Sequence, residues 1–152
     1  MLYFQGNIPF ATGVMDYEFR PIPPDKINTR ILLCVIVEGV PAITVLDTGA
    51  PYYIIAPAIA NQLGFDPYDS LEQTNITIRG IRFFGSLHRV DVELTALEGE
   101  STTFQATAFV PNPDREERWG DLPSFLGIES CLERIRFALD PSETRFYFGA
   151  LP

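Results

Sequence analysis

Cysteine and histidine are scarce in this sequence. Of 152 residues, two are cysteines, Cys34 and Cys131, and one is a histidine, His88. A disulfide scaffold is excluded, and so is structural zinc, whose paired Cys and His spacings are missing. Triad chemistry of the Ser-His or Cys-His kind is left with one candidate base. Basic residues are also few, 11 against 20 acidic, and a net charge of −9 has the wrong sign for neutralising phosphates, so nucleic acid is set aside as a partner. No apolar run is long. Ile31 to Val37 falls far short of the roughly eighteen residues a membrane span requires, so no membrane segment is expected and the chain is read as soluble. These absences direct attention to the carboxylates.

What is present is enough chain for one domain, 46% hydrophobic and able to bury a core without covalent staples. Met1 to Gly6 (MLYFQG) looks like what remains of a protease-cleavage tag and is set aside. A cytoplasmic protein and the soluble domain of a membrane-anchored one both stay open. Thirteen prolines and eleven glycines cut the rest into short, often alternating segments, so the expected fold class is all-β. Residues 7–28, with Pro21, Pro23 and Pro24, read as an extended arm with one edge strand around Met15 to Arg20, and 29–152 as the folded domain.

Within that domain Arg30 to Val37 reads as a strand buried on both faces, turned by Glu38-Gly39-Val40-Pro41 into a second strand, Ala42 to Leu46. Pro57 to Leu63 has Pro at a helix start, Ile59 and Leu63 four apart, and Gly64 at the stop. Ile76, Ile78, Val90, Val92 and Leu94 alternate with polar residues and predict a long hairpin, with Gly80 and Gly85 bracketing its connection. Thr103 to Val110 is a further strand, Pro111 to Ser124 a long polar loop, and Glu129 to Glu133 a short helical candidate. Ile135, Phe137 and Leu139, then Phe146 and Phe148, close the chain as a hairpin.

Asp47 is the unusual residue, an acid at the end of the apolar run Ile43, Val45, Leu46 and followed at once by Thr48 and Gly49. A plain turn explains it if Asp47 accepts backbone N–H bonds and Gly49 supplies an unusual backbone angle. Against this, Asp-Thr/Ser-Gly arises by chance in about one chain in twenty of this length, and less often with apolar residues before it and Ala after.

The string Ala42-Ile43-Thr44-Val45-Leu46-Asp47-Thr48-Gly49-Ala50, after a strand and tight turn, resembles the active-site loop of retropepsin-like aspartic proteases. Phe125-Leu126-Gly127, followed by Ile128 to Glu133, is similar to their second motif and C-terminal helix, and Ile78 to Leu87 matches their flap in position. The resemblance runs from about Thr29 to Gly149. It implies a closed acid-protease barrel with one or two short helices and a β-hairpin flap. It also implies an aspartic endopeptidase with catalytic Asp47, Thr48 and Gly49, needing no cofactor or metal. Viral members carry an ion pair at the positions of Pro51 and Ile128, both uncharged here.

Carboxylate hydrolysis needs two acids sharing a proton. The chain has one Asp-Thr-Gly, so the second Asp47 is expected from a homodimer mate, and the resemblance implies that Thr48 bonds across the two-fold axis. The substrate is expected to be an extended peptide held as an added strand. Ala50, Leu126 and the hairpin residues Gly80, Ile81, Arg82, Phe83, Phe84 and Gly85 are the expected substrate contacts, the last group as the flap tip. Phe83 or Phe84 either covers an apolar substrate side chain, the favoured reading, or packs a closed pocket. Two rivals stay open, a catalytically silent dimerisation or peptide-binding module of the same fold, and an unrelated β-barrel carrier. His88 is expected at the surface, Cys34 in the core and Cys131 without a nucleophilic role. Trp119 either rims a cleft or anchors its loop.

Overall fold

A computed structural model of the chain describes residues 1–66, 69–112 and 116–152. Strands dominate, in the order β1 (Leu2–Tyr3), β2 (Pro9–Ala11), β3 (Gly13–Asp16), β4 (Glu18–Pro21), β5 (Thr29–Val37), β6 (Val40–Leu46) and β7 (Tyr53–Ile54). Then follow β8 (Glu72–Ile78), β9 (Ile81–Leu94), β10 (Glu98–Gly99), β11 (Thr102–Pro111), β12 (Ser124–Leu126), β13 (Ile135–Asp140) and β14 (Arg145–Ala150). Helix is confined to α1 (Pro57–Leu63), α2 (Glu116–Trp119) and a 3-10 turn, Leu132–Arg134, among the described residues. The fold is all-β, as the segment pattern predicts. Of the expected polar loop, positions 113–115 lie outside the described residues.

Tight turns set the strand registers. Glu38 and Gly39 both take positive φ, 47° and 81°, giving the two-residue turn whose twist suits an antiparallel pair, and Val37 faces Val40 across it. Gly64 ends α1 in the left-handed conformation, φ 64° and ψ 42°, and its N–H donates to the Ala60 carbonyl. The largest sheet runs β4-β5-β6-β12-β7-β11-β9-β8, and Ile36 and Val37 of β5 also pair with Glu93 and Val92 of β9. That extra pairing closes the sheet on itself, leaving β4 and β8 as appended strands. A second sheet, β10-β3-β14-β13, packs Phe146 and Phe148 into the main core with Leu33, Val35, Val37, Val92 and Leu94.

Four expectations need correction, the last of them the surface placement of His88. The segment read as an arm with one strand holds β2, β3 and β4. Val14 and Met15 pair with Tyr147 and Phe146 in the second sheet, while Phe19 pairs with Ile31 in the first, and the chain changes sheets at Tyr17. Strand β5 is covered on both faces only at Leu32 and Leu33; at Cys34, opposite the exposed Ile43, the outer face opens and the cysteine is exposed. The helical candidate at Glu129 to Glu133 is instead the shorter turn Leu132–Arg134, with Cys131 fully buried before it.

His88 is also buried. It shares strand parity with Val90, Val92 and Leu94, so it lies on their inward face. Its Nε2 is 2.8 Å from the Ser86 hydroxyl and its ring centroid is 4.7 Å from that of Phe65. Desolvation lowers its pKa from the usual 6.5.

Candidate active site

Strand β6 delivers Asp47 to its place by pairing in parallel with β12, Thr44 beside Ser124, Val45 beside Phe125 and Leu46 beside Leu126. The Asp47 N–H then donates to the Leu126 carbonyl at 3.0 Å. Its carboxylate Oδ1 accepts the Gly49 N–H at 3.0 Å, and its carbonyl accepts the Ala50 N–H at 3.1 Å. Gly49 does not take a positive φ; a Cβ there would stand 3.3 Å from Asp47 Oδ1, so the glycine keeps space beside the carboxylate.

The second motif clamps this loop through backbone alone. Gly127 N–H donates to the Tyr52 carbonyl at 2.8 Å and Ile128 N–H to the Ala50 carbonyl at 2.9 Å, and Pro51 and Glu129 form a parallel bridge. A Cβ on Gly127 would lie 2.2 Å from the Tyr52 oxygen and 2.6 Å from those of Ala50 and Pro51, so no side chain fits. These bonds join the two loops without any charge at Pro51 or Ile128.

Beneath the loop is a buried polar network that the sequence reading missed. Thr44 is fully buried with Oγ1 3.2 Å from the Tyr53 hydroxyl, and Ser124 Oγ accepts the Ala56 N–H at 3.0 Å. Burial pushes Tyr53 up to about 12, against the opposing effect of hydrogen bonds with Thr44 and Ser124. Its one sequence signal is a threonine among the apolar residues of β6.

Asp47, Gly49 and Ala50 line a cavity of about 570 Å³. Its lining is apolar at Ile22, Val45, Ile54 and Phe125, and includes Asn75 to Arg79 of the hairpin and Arg30. Thr48 is exposed beside it. The hairpin turns at Arg79-Gly80, φ 50° and 79°, so the tip is centred three residues earlier than the bracketing glycines suggest. It is therefore β8 and Arg79, not residues 80–85, that meet the cavity.

Phe83 lies 1% exposed in the core against Trp119, centroids 5.2 Å apart, while Ile81, Arg82 and Phe84 are exposed. Gly85 is buried where a Cβ would meet the Val110 oxygen at 2.2 Å, and Leu126 is fully buried in the main core. Its neighbour Phe125 takes the place at the cavity expected of Leu126. Trp119 anchors its loop: its Nε1–H donates to the Leu122 carbonyl at 2.7 Å and its ring packs between Phe83 and Phe125.

A solved retropepsin-like aspartic protease from Rickettsia conorii matches this architecture with a TM-score of 0.52, over 91% of this chain and 95% of that one, at 23% sequence identity. The fold is retropepsin-like. No family model and no curated protein matches the sequence. Within this retropepsin-like fold the Asp-Thr-Gly loop and the Phe-Leu-Gly segment meet at one cavity, with Asp47 as the one acid lining it among the described residues. Cys131 is far from nucleophilic chemistry, since burial pushes its thiol up to about 12. No helix among the described residues is long and apolar enough to cross a membrane.

Proposed function

We propose that the chain is a homodimeric aspartic endopeptidase. The observation that carries this reading is Asp47, held by backbone bonds at the wall of a peptide-sized cavity that contains no second acid among the described residues. A lone carboxylate cannot both accept a proton from water and donate one to the substrate, so a second copy supplies the partner. In the pair, the ionised carboxylate takes a proton from the attacking water while the protonated one hydrogen-bonds the scissile carbonyl and stabilises the oxygen as charge develops. Thr48, exposed in the same loop, would hold the mate's loop. An extended peptide would lie between the loop and β8, with apolar side chains against Ile54, Ile76, Ile78 and Phe125.

The test is to incubate the protein and its Asp47→Asn variant with a diverse peptide mixture and read the cut sites. Cleavage is expected from the first and loss of at least about a hundredfold from the second. Equal cleavage by both would refute the dyad.

A further inference from the structure

The molecule carries a net charge of −9, yet among the described residues the cavity wall reverses that sign, with Arg30 and Arg79 against Asp47 alone. Neither guanidinium is neutralised by an ion pair among the described residues. Arg79 makes no hydrogen bond there, and Arg30 spends one donor on the Thr29 carbonyl at 2.9 Å. The acid nearest Arg30 in sequence, Asp25, makes no ion pair with it: its carboxylate accepts from the Ile27 and Asn28 N–H groups and the Asn28 amide, at 2.9, 3.1 and 2.8 Å, and the charge of Arg30 is the smallest of the influences that lower its pKa.

Turn chemistry does not ask for an arginine at position 79. With φ 50° the first residue of this two-residue turn favours Asn, Asp or Gly, and a long side chain sits there against its backbone preference. What the arginine adds is a fork of donors at the hairpin tip, able to bind a carboxylate in bidentate fashion. The same cavity is lined by the apolar side chains of Ile54, Ile76, Ile78 and Phe125.

We propose that Arg30 and Arg79 make the cleft selective for peptides carrying an aspartate or glutamate within two residues of the apolar residue at the cleavage point. The cut itself rests on the protease reading above; the selection is a property of binding and is tested apart from it.

Fluorescein-labelled peptides with a central Phe and, two residues away, Glu, Gln or Lys are titrated into the full chain bearing Asp47→Asn. The anisotropy midpoints are expected to favour Glu over Gln by about tenfold, with Lys weakest, and the preference should shrink as salt is added. Arg30→Gln with Arg79→Gln in the same chain should reduce the Glu advantage to less than about twofold. Both arginines are exposed, and a thermal melt verifies that the fold persists. Equal binding of Glu and Gln peptides, an advantage that survives both substitutions, or no binding of any peptide overturns the proposal. Cleavage by the unsubstituted chain separates the two readings. Selective binding without cutting defeats the protease alone, and cutting with no acidic preference in binding defeats the selection alone.

Discussion

Gly127 shows how much of the site depends on the absence of an atom. With three carbonyl oxygens within 2.6 Å of where its Cβ would be, Gly127→Ala must push the Asp47 loop away from β12. A loss of roughly 1–3 kcal/mol is expected, read as a lowered Tm, together with a larger loss of peptide cleavage than stability alone explains. An unchanged Tm would mean that the loops have room to part. His88 gives a second prediction at this scale. Its folded pKa lies below the unfolded value of 6.5, so an unfolded chain takes up a proton that the folded chain refuses. The stability due to the neutral ring is complete above that value and is lost as pH falls through the range below it. Denaturant titrations should show a declining limb between 6.5 and the carboxylate range, flattened by His88→Gln. Asp25, held at about 2 mainly by the Ile27 and Asn28 N–H groups, adds its own loss only at more acidic pH. Residues differ sharply in what the sequence reveals of them. Asp47 stands out because an acid interrupts an apolar run, whereas Thr44 and Ile76 gain their place at the site from pairings with Ser124 and Phe83, and Arg79 from the turn that joins β8 to β9.

At the scale of elements, the β8–β9 hairpin is anchored along its length and free at its turn. Phe83 packs on Trp119, and Trp119 on Phe125, so one indole ties the hairpin to the strand entering the second motif. Trp119→Ala should cost roughly 3–5 kcal/mol and speed amide exchange in Ile76 to Ile81, while β13 and β14 keep their protection. Equal loosening of both hairpins would mean that Trp119 supports the whole core. Elements whose ends carry their own signals were legible: α1 from Pro57, Ile59, Leu63 and Gly64, and the closing hairpin from alternating Ile135 to Phe148. The hairpin tip was not, because Gly80 serves the turn whereas Gly85 serves a close approach to β11, and sequence alone gives both the same letter. The first strands were obscured for another reason: β3 and β4 join different sheets, and that choice is made by distant partners, Phe146 and Ile31.

For the whole molecule, the closed sheet leaves Asp47 half-buried in one copy, with no second acid lining its cavity among the described residues. If two copies complete the site, mixing equal amounts of the chain and its Asp47→Asn variant and allowing exchange leaves about one dimer in four with both carboxylates. Activity should then fall to about half that of the same quantity of unsubstituted chain alone. No drop on mixing would show that one carboxylate per assembly is enough. The fold also equips the protein to report on itself. Of its aromatic residues only one is tryptophan, lodged between the hairpin and the strand that leads to Gly127. Red-edge ultraviolet light absorbed by this chain enters at that single ring, so its emission serves as a built-in optical gauge of hairpin position, with no label attached and no cysteine consumed.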